Sequence, residues 1–295
     1  MKMSFTTIAC PDWTLEQIAK NARGMGYDGV QLCVDRADGK HIHPDMSIQE
    51  ARAVGALFRS ESVEIMGLWG FTRFMHADSS KFAENQAEMR KLLALAEAMN
   101  AKTIRTYGGA IPTGVDPEVM KDKMAGTLRP LANEAHERGI QIGLYVYDDW
   151  ASGKSQHDMI QRVGSPGLGS IYDTYPAFTF SGEPWHVTYN QIKDHLCYTL
   201  LSDGYFGADN LHHYVFLGAG NLPMREVVEG LKAGGYGKFL SFKWQKKWDE
   251  SLIGPEHVLP HVLHWTRKIW NRGNIDYGIN KAGAEIIRGV YNDAR

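Results

Sequence analysis

The 295-residue sequence has little of what marks secreted, membrane-bound or disulfide-rich proteins. It contains three cysteines, Cys10, Cys33 and Cys197. Their odd number and lack of close spacing argue against a disulfide framework, so we expect buried, reduced thiols. No apolar run approaches the roughly 20 residues of a membrane span, and the first residues are too weakly apolar for a signal peptide. We therefore expect a cytoplasmic protein with no membrane partner.

The sequence also lacks a strong charge of either sign. The formal net charge is −2, the isoelectric point is near 6.6, and no basic tail or block of like charge occurs. This balance gives no reason to expect a nucleic acid as partner. The hydrophobic fraction of 43% and the charged fraction of 22% are those of an ordinary soluble globular protein.

Short apolar runs alternate with longer amphipathic segments along the chain. The runs begin roughly 25 to 40 residues apart, which is about the length of one βα unit. The clearest helical pattern covers residues 81–99, where apolar side chains recur on one face. The predicted strands are residues 5–9, 29–34, 64–69, 103–107, 141–147, 168–172, 197–201 and 239–243.

Helix starts are marked by two capping boxes, one formed by Thr14 with Gln17 and one by Ser47 with Glu50. In each box the hydroxyl and the later side chain satisfy backbone N–H groups that the helix leaves free. Glycines at 26, 139 and 234–235 are placed to end helices before the next strand.

Eight strands alternating with helices predict an α/β protein, a (β/α)8 TIM barrel with a C-terminal extension. We place the barrel at residues 1–273 and the extension at residues 274–295. The alternative is a doubly wound open sheet, which needs a glycine-rich turn after its first strand to bind a phosphate. Residues 9–13 read ACPDW and contain no glycine.

Polar and aromatic residues collect where the predicted strands end, which is where TIM barrels hold their active sites. Aromatic rings stack on the faces of sugars, and charged or amide groups bond their hydroxyls, so this composition suits a carbohydrate site. Any single ring here is also a reasonable core residue. The candidates for substrate binding are Trp13, Trp69, Arg105, Tyr107, Asp149 and His212.

Several of these segments resemble the xylose isomerase-like TIM barrels, a family of sugar epimerases, isomerases and inosose dehydratases. Residues 235–245 read GYGKFLSFKWQ and resemble that family's last strand, roughly Gly-Tyr-x-Gly-x-Leu-Ser-x-Glu-Trp. Residues 142–149, 168–176, 198–203 and 212–221 are similar to its fifth, sixth and seventh strands and the loop after the seventh. The resemblance covers nearly the whole barrel and is most specific in its second half.

The resemblance implies four ligands for a divalent cation, and this sequence keeps one of them. The glutamate of strand five falls on Tyr147, the aspartate of strand six is Asp173, and the histidine of strand seven falls on Leu200 or, with a slipped register, Thr199. The glutamate of strand eight falls on Lys243. Because Mg²⁺ and Mn²⁺ need several oxygen or imidazole donors, we expect no metal site and no cofactor. Either metal would require displaced ligands such as Asp148, Asp149 or His212.

Removal of a dication would leave Asp173 as an uncompensated buried carboxylate, which is costly. We therefore predict that Lys243 and Asp173 form an ion pair where the metal would be, with Tyr147 donating a hydrogen bond; these three are the catalytic candidates. The pair is either structural or functional. In the functional case Lys243 polarises a substrate carbonyl or hydroxyl, acts as an acid or base with a lowered pKa, or forms a Schiff base.

The resemblance implies an epimerase, isomerase or carbon–oxygen lyase that acts on a carbohydrate, a cyclitol or a keto derivative. The alternative is a non-catalytic sugar-binding or structural subunit that has kept the fold and lost the metal. An endonuclease acting at abasic DNA sites is disfavoured, because it would need a multi-metal cluster and a basic groove. The expected partner is a small carbohydrate, and the sequence leaves open a homo-oligomer or a partner subunit.

Overall fold

The computed structural model describes residues 1–37, 40–76, 78, 80–208 and 211–271, where eight parallel strands close into a barrel. The barrel strands are β1 (Lys2–Thr6), β2 (Gly29–Cys33), β3 (Glu64–Trp69), β4 (Thr103–Tyr107), β5 (Gln141–Tyr145), β6 (Leu168–Asp173), β7 (Leu196–Leu201) and β10 (Phe239–Phe242). The helices are α1 (Leu15–Met25), α2 (Ile48–Ser60), α3 (Ser80–Met99), α4 (Pro117–Glu137), α5 (Gly153–Val163), α6 (Thr174–Ser181), α7 (Trp185–Ile192), α8 (Met224–Ala233) and α9 (Pro255–Asn271). The predicted (β/α)8 barrel is confirmed.

The first strand is the one whose predicted position is wrong. It covers Lys2–Thr6 rather than residues 5–9, and it pairs with β10 from Lys2 opposite Phe239 onward. Thr7–Ala9 form a short 3-10 turn instead. Ile8 and Ala9 are fully buried in that turn, so their apolar character reflects burial and not strand pairing. The other seven strands begin and end within two residues of the predicted bounds.

The local signals for helix ends work as the sequence indicates. Both capping boxes form, with the Thr14 and Ser47 hydroxyls accepting from the backbone N–H three residues later. Gly26 ends α1 with φ +90°, in the left-handed region that glycine occupies without strain. The entry and exit of the first two helices are therefore fixed by short-range chemistry.

Two apolar cores support the barrel, one between the sheet and the helices and a smaller one inside the barrel. The inner core contains Ile8, Cys33, Met66, Trp69, Tyr145, Ile171, Cys197, Tyr198 and Leu200. Strands of a parallel sheet are covered on both faces, and all six residues of β6 are accordingly buried. The three cysteines are buried and form no disulfide with one another, as predicted.

A hairpin rises from the carboxyl end of β7, and the sequence pattern does not predict it. Strand β8 (Asp203–Phe206) pairs antiparallel with β9 (His212–Val215), a segment predicted to be loop. The buried carboxylate of Asp203 holds the base of the hairpin, because it accepts hydrogen bonds from four backbone N–H groups. These belong to Gly204 (2.8 Å), Gly218 (2.8 Å), Gly220 (3.1 Å) and Leu222 (3.4 Å).

The predicted C-terminal extension, residues 274–295, lies outside the described residues, so the domain boundary at residue 273 stays a prediction. Over the part of the chain that is described, none of the helices combines the length and the apolar character needed to cross a membrane.

Buried tyrosines predict that the fold is lost in alkali. Burial raises the pKa of five tyrosines above that of the free side chain, so each stays protonated in the fold: Tyr27, Tyr145, Tyr172, Tyr198 and Tyr236. In the unfolded chain they ionise near pH 10. Stability is therefore intact below about pH 10 and falls as the pH rises beyond it. We expect tyrosinate absorbance and loss of circular dichroism to appear together; tyrosines that all titrate near pH 10 in a folded protein would contradict this.

Candidate active site

A buried ion pair lies inside the barrel near the carboxyl ends of its strands. Asp173 is the last residue of β6, and Lys243 follows β10, where its N–H donates to the carbonyl of Leu201 on β7 (3.0 Å). Lys243 Nζ lies 2.5 Å from Asp173 Oδ2, and the two side chains are 1% and 0% exposed. The structure thus contains the ion pair that the sequence predicts.

Two hydroxyls complete this arrangement, which we call the Lys243 centre: Lys243, Asp173, Tyr145 and Ser202. The Tyr145 hydroxyl donates to Asp173 Oδ2 (2.7 Å) and accepts from Lys243 Nζ (3.1 Å). Ser202 Oγ donates to the other carboxylate oxygen, Oδ1. Every polar atom of Asp173 is therefore engaged, as a buried carboxylate requires.

The tyrosine that bonds the centre is Tyr145 and not Tyr147, the residue that the sequence predicts for this role. Because the two residues are two positions apart in an extended segment, both side chains point to the same face of the sheet. β5 ends at Tyr145, and the ring of Tyr147 stacks over that of Tyr145 with centroids 5.8 Å apart. Tyr147 also contacts Phe180 (4.6 Å). Tyr147 thus lies over the Tyr145 ring, on the side of the Lys243 centre that is nearer the solvent.

The surroundings of Lys243 keep it protonated. Burial alone would lower the pKa of its ammonium, but attraction to Asp173 and Tyr214 and the hydrogen bond to Asp173 outweigh burial, so the pKa is raised. The lowered pKa expected for an acid–base lysine is therefore wrong. Burial, and then the Asp173 carboxylate, raise the pKa of Tyr145 well above its usual value, so this hydroxyl also keeps its proton.

A second buried cation lies beside the centre. Arg105 on β4 is 0% exposed, and none of its three guanidinium nitrogens has a hydrogen-bond partner among the described residues. Aromatic rings surround it instead. The guanidinium carbon lies 3.7 Å from the ring centroid of Trp69, 4.1 Å from that of Tyr107 and 4.4 Å from that of Tyr145. Tyr145, a member of the Lys243 centre, therefore also contacts Arg105.

The structure brings some predicted site residues together and leaves others apart. Trp69, Arg105 and Tyr107 form one group around the guanidinium. The other three make local contacts: the Trp13 carbonyl bonds His41 Nε2 (3.1 Å), Asp149 Oδ2 accepts from the N–H of Ile111 (2.7 Å), and His212 Nδ1 meets the Tyr175 hydroxyl (3.1 Å). Three residues near Lys243 are not among the sequence-predicted site residues. They are Tyr145, Ser202, whose hydroxyl donates to Asp173, and Tyr214, whose ring centroid lies 5.3 Å from Lys243 Nζ.

The donor atoms around Asp173 do not fit a divalent cation. Leu200 is the register partner of Asp173 on β7, so an alkyl chain stands where the resemblance implies a histidine. An ammonium group already contacts the carboxylate, and the remaining donors are hydroxyls. Across the described ranges, no three histidine, cysteine, aspartate or glutamate side chains are grouped to hold a metal. Asp148, a displaced candidate, instead lies 3.5 Å from Arg73.

This combination of a closed (β/α)8 barrel and a polar centre at its carboxyl end agrees with a family-level match. Residues 19–269 match the family model described as xylose isomerase-like TIM barrel, and the chain belongs to that family. No curated protein matches the chain in sequence.

Solved structures with this fold are similar to the chain over nearly its whole length. The probable 3-DHS dehydratase AsbF from Bacillus anthracis is 15% identical, with a TM-score of 0.73 over 93% of this chain and 100% of that one. The IOLI protein with a bound zinc atom is 14% identical, with a TM-score of 0.75 over 92% and 98%. A D-psicose 3-epimerase with D-tagatose from Clostridium cellulolyticum H10 is 12% identical, with a TM-score of 0.75 over 92% and 99%. At these identities the likeness shows the fold alone.

Proposed function

We propose that this protein is an epimerase- or isomerase-type enzyme, or a related lyase, that acts on a carbohydrate, a cyclitol or a keto derivative. Membership of the xylose isomerase-like family supports this, as do the epimerase and dehydratase named among the similar structures. We further propose that the Lys243 centre works without a divalent metal.

One observation carries the proposal: Lys243 has an unused donor. An ammonium group has three N–H bonds, and its hydrogen bonds to described residues go to Asp173 and Tyr145. We propose that the third N–H donates to a substrate oxygen. Asp173 and Tyr145 fix the position of the ammonium before the reaction, so its charge needs no reorganisation when negative charge develops.

In the proposed mechanism the Asp173 carboxylate takes a proton from the carbon next to a substrate carbonyl. This leaves an enolate, or an enediolate where that carbon carries a hydroxyl, whose oxygen carries the new negative charge. Lys243 donates its third hydrogen bond to that oxygen. Tyr145, which keeps its proton, strengthens the arrangement by holding Asp173. A Schiff base is not part of this mechanism, because amine attack requires neutral lysine and the raised pKa of Lys243 disfavours it.

The alternative is a non-catalytic barrel that binds a sugar or supports a partner subunit. One observation favours it: Lys243 and Asp173 are 1% and 0% exposed and form an ion pair with each other, as a purely structural pair would.

Deuterium exchange separates the two, whichever product the enzyme forms. The protein is incubated in heavy water with a panel of ketoses, keto-cyclitols and sugar or cyclitol keto acids, and mass spectrometry detects deuterium entering the carbon next to the carbonyl. We expect exchange into at least one compound, unaffected by a chelator. Lys243→Met should reduce its rate by about 10²–10³-fold, the usual effect of removing a group that stabilises an oxyanion.

The matched control is Lys154→Met, since Lys154 forms an ion pair at the surface with 76% of its side chain exposed. It should exchange at the wild-type rate. Absence of exchange with every member of the panel would overturn the enzymatic proposal and favour the binding protein. Exchange that a chelator abolishes would overturn the metal-free centre.

A further inference from the structure

Three charged side chains lie buried inside the barrel, and two of them form an ion pair with each other. Arg105 and Lys243 each contribute one positive charge, Asp173 contributes one negative charge, and none of the three is more than 1% exposed. Asp203 is equally buried, but it is engaged by the backbone N–H groups at the base of the hairpin. Of the three charged side chains inside the barrel, Arg105 is therefore the one with no ion pair to a described residue.

The unpaired charge is that of Arg105. Lys243 has Asp173 at 2.5 Å, whereas the guanidinium of Arg105 has aromatic rings as its neighbours. Ring faces attract a cation, but they do not accept the N–H groups that project from the guanidinium edge. Nε, Nη1 and Nη2 lack partners among the described residues. A buried donor without an acceptor is costly, and natural proteins rarely keep one without a purpose.

We propose that the substrate of this enzyme carries a carboxylate and that Arg105 binds it. This inference rests on the proposed function and narrows it from carbohydrates in general to sugar acids, cyclitol acids or their keto derivatives. A carboxylate matches the guanidinium edge in a two-point contact. It also brings one negative charge, which equals in size the positive charge of Arg105. A phosphate monoester carries about −1.5 to −2 at neutral pH and would overcompensate it.

The position of Arg105 suits this role. Tyr145 contacts both Arg105 and Lys243, so a compound bonded to both cations would place its carboxylate at β4 and its carbonyl or hydroxyl oxygen near Lys243. Phe71 connects the guanidinium to the surface, because its ring lies 5.6 Å away and is 40% exposed. Displacement of Phe71, which contacts the exposed Trp248 at 6.4 Å, would open the way in.

The first test compares the stability of ligand-free variants. Arg105→Met removes the charge and keeps an unbranched, apolar chain. Because an unpaired buried charge destabilises the free protein, we expect the melting temperature of this variant to equal or exceed that of the wild type. A clear fall would overturn the proposal, since it would mean that Arg105 serves the fold through its rings. Arg225→Met, in an exposed ion pair with Glu229, controls for loss of a surface arginine.

The second test uses matched ligands that differ in the carboxylate. D-glucuronate is compared with D-glucose, quinate with myo-inositol, and D-glucose 6-phosphate represents the phosphate. Thermal shift and calorimetry follow binding to the wild type, Arg105→Met and Arg105→Lys. We expect at least one acid to bind while its neutral counterpart does not. Arg105→Met should weaken that binding about 10- to 100-fold, and Arg105→Lys, which lacks the two-point contact, should restore it in part.

Each contrary result overturns the proposal in its own way. Three results would show that Arg105 does not bind a carboxylate. They are equal binding of an acid and its neutral counterpart, no binding of either acid, and binding of an acid that Arg105→Met leaves unchanged. Tighter binding of D-glucose 6-phosphate than of either acid would mean that Arg105 binds a phosphate and not a carboxylate. The proposed function is tested separately by deuterium exchange. Exchange with neutral sugars alone would support the enzymatic proposal and overturn the carboxylate-binding role of Arg105. Binding of an acid that depends on Arg105, without deuterium exchange, would keep the carboxylate site and overturn the enzymatic proposal.

Discussion

We expect the replacement of Lys243 with methionine to lower the free energy of unfolding by about 3–5 kcal/mol, the usual cost of breaking a buried ion pair. The cost arises because Asp173 would stay buried at 0% exposure without its cation. Its remaining partners, Tyr145 and Ser202, donate neutral hydrogen bonds that compensate only part of the charge. Urea denaturation followed by circular dichroism measures the loss.

The double variant Lys243→Met with Asp173→Asn decides whether that explanation is correct. With both charges removed no ion is left unpaired, so most of the lost stability should return, and the two substitutions should be far from additive. Lys154→Met, at the exposed pair with Asp158, should leave the unfolding midpoint unchanged. Additive losses in the double variant would show that the two side chains act independently and would contradict the pairing.

Replacing Asp203 with alanine should cost about 3 kcal/mol or more, because four backbone N–H groups lose their acceptor at once. Burial raises the pKa of this carboxyl, and the N–H groups of Gly220, Gly218, Gly204 and Leu222 partly offset the rise. Urea denaturation measures the loss. We also expect faster hydrogen exchange in the hairpin β8–β9, whose base the carboxylate holds.

The control for Asp203 is Asp249→Ala. Asp249 is exposed, and among the described side chains and N–H groups only the N–H and the hydroxyl of Ser251 donate to its carboxylate. It should change neither the unfolding midpoint nor exchange in the hairpin. If Asp203→Ala were as harmless as Asp249→Ala, the hairpin would be held by other contacts.

The barrel could be predicted from the sequence because its information is local. Alternating apolar runs, two capping boxes and helix-ending glycines act over a few residues each, and seven strands fall within two residues of their predicted bounds. The first strand was displaced because Ile8 and Ala9 are buried without being paired. The hairpin was missed because its base depends on Asp203, whose partners lie up to nineteen residues away.

The candidate site could be predicted only in part. The Lys243–Asp173 pair followed from a substitution that leaves a buried carboxylate without a cation. The choice between Tyr145 and Tyr147 could not be made, because both lie on the inner face and only the level of the ring inside the barrel separates them. The unpaired state of Arg105 depends on rings from β3, β4 and β5, which only the closed barrel brings together.

The metal content of the purified protein tests most directly whether the ammonium of Lys243 stands in place of a dication. Inductively coupled plasma mass spectrometry is applied to protein prepared without added metal, and again after incubation with Mn²⁺ and removal of the excess. If the ammonium of Lys243 takes the place of a dication, we expect far less than one equivalent of any divalent metal per protein chain in both samples. Near-stoichiometric metal in either sample would contradict it and would assign catalysis to displaced ligands.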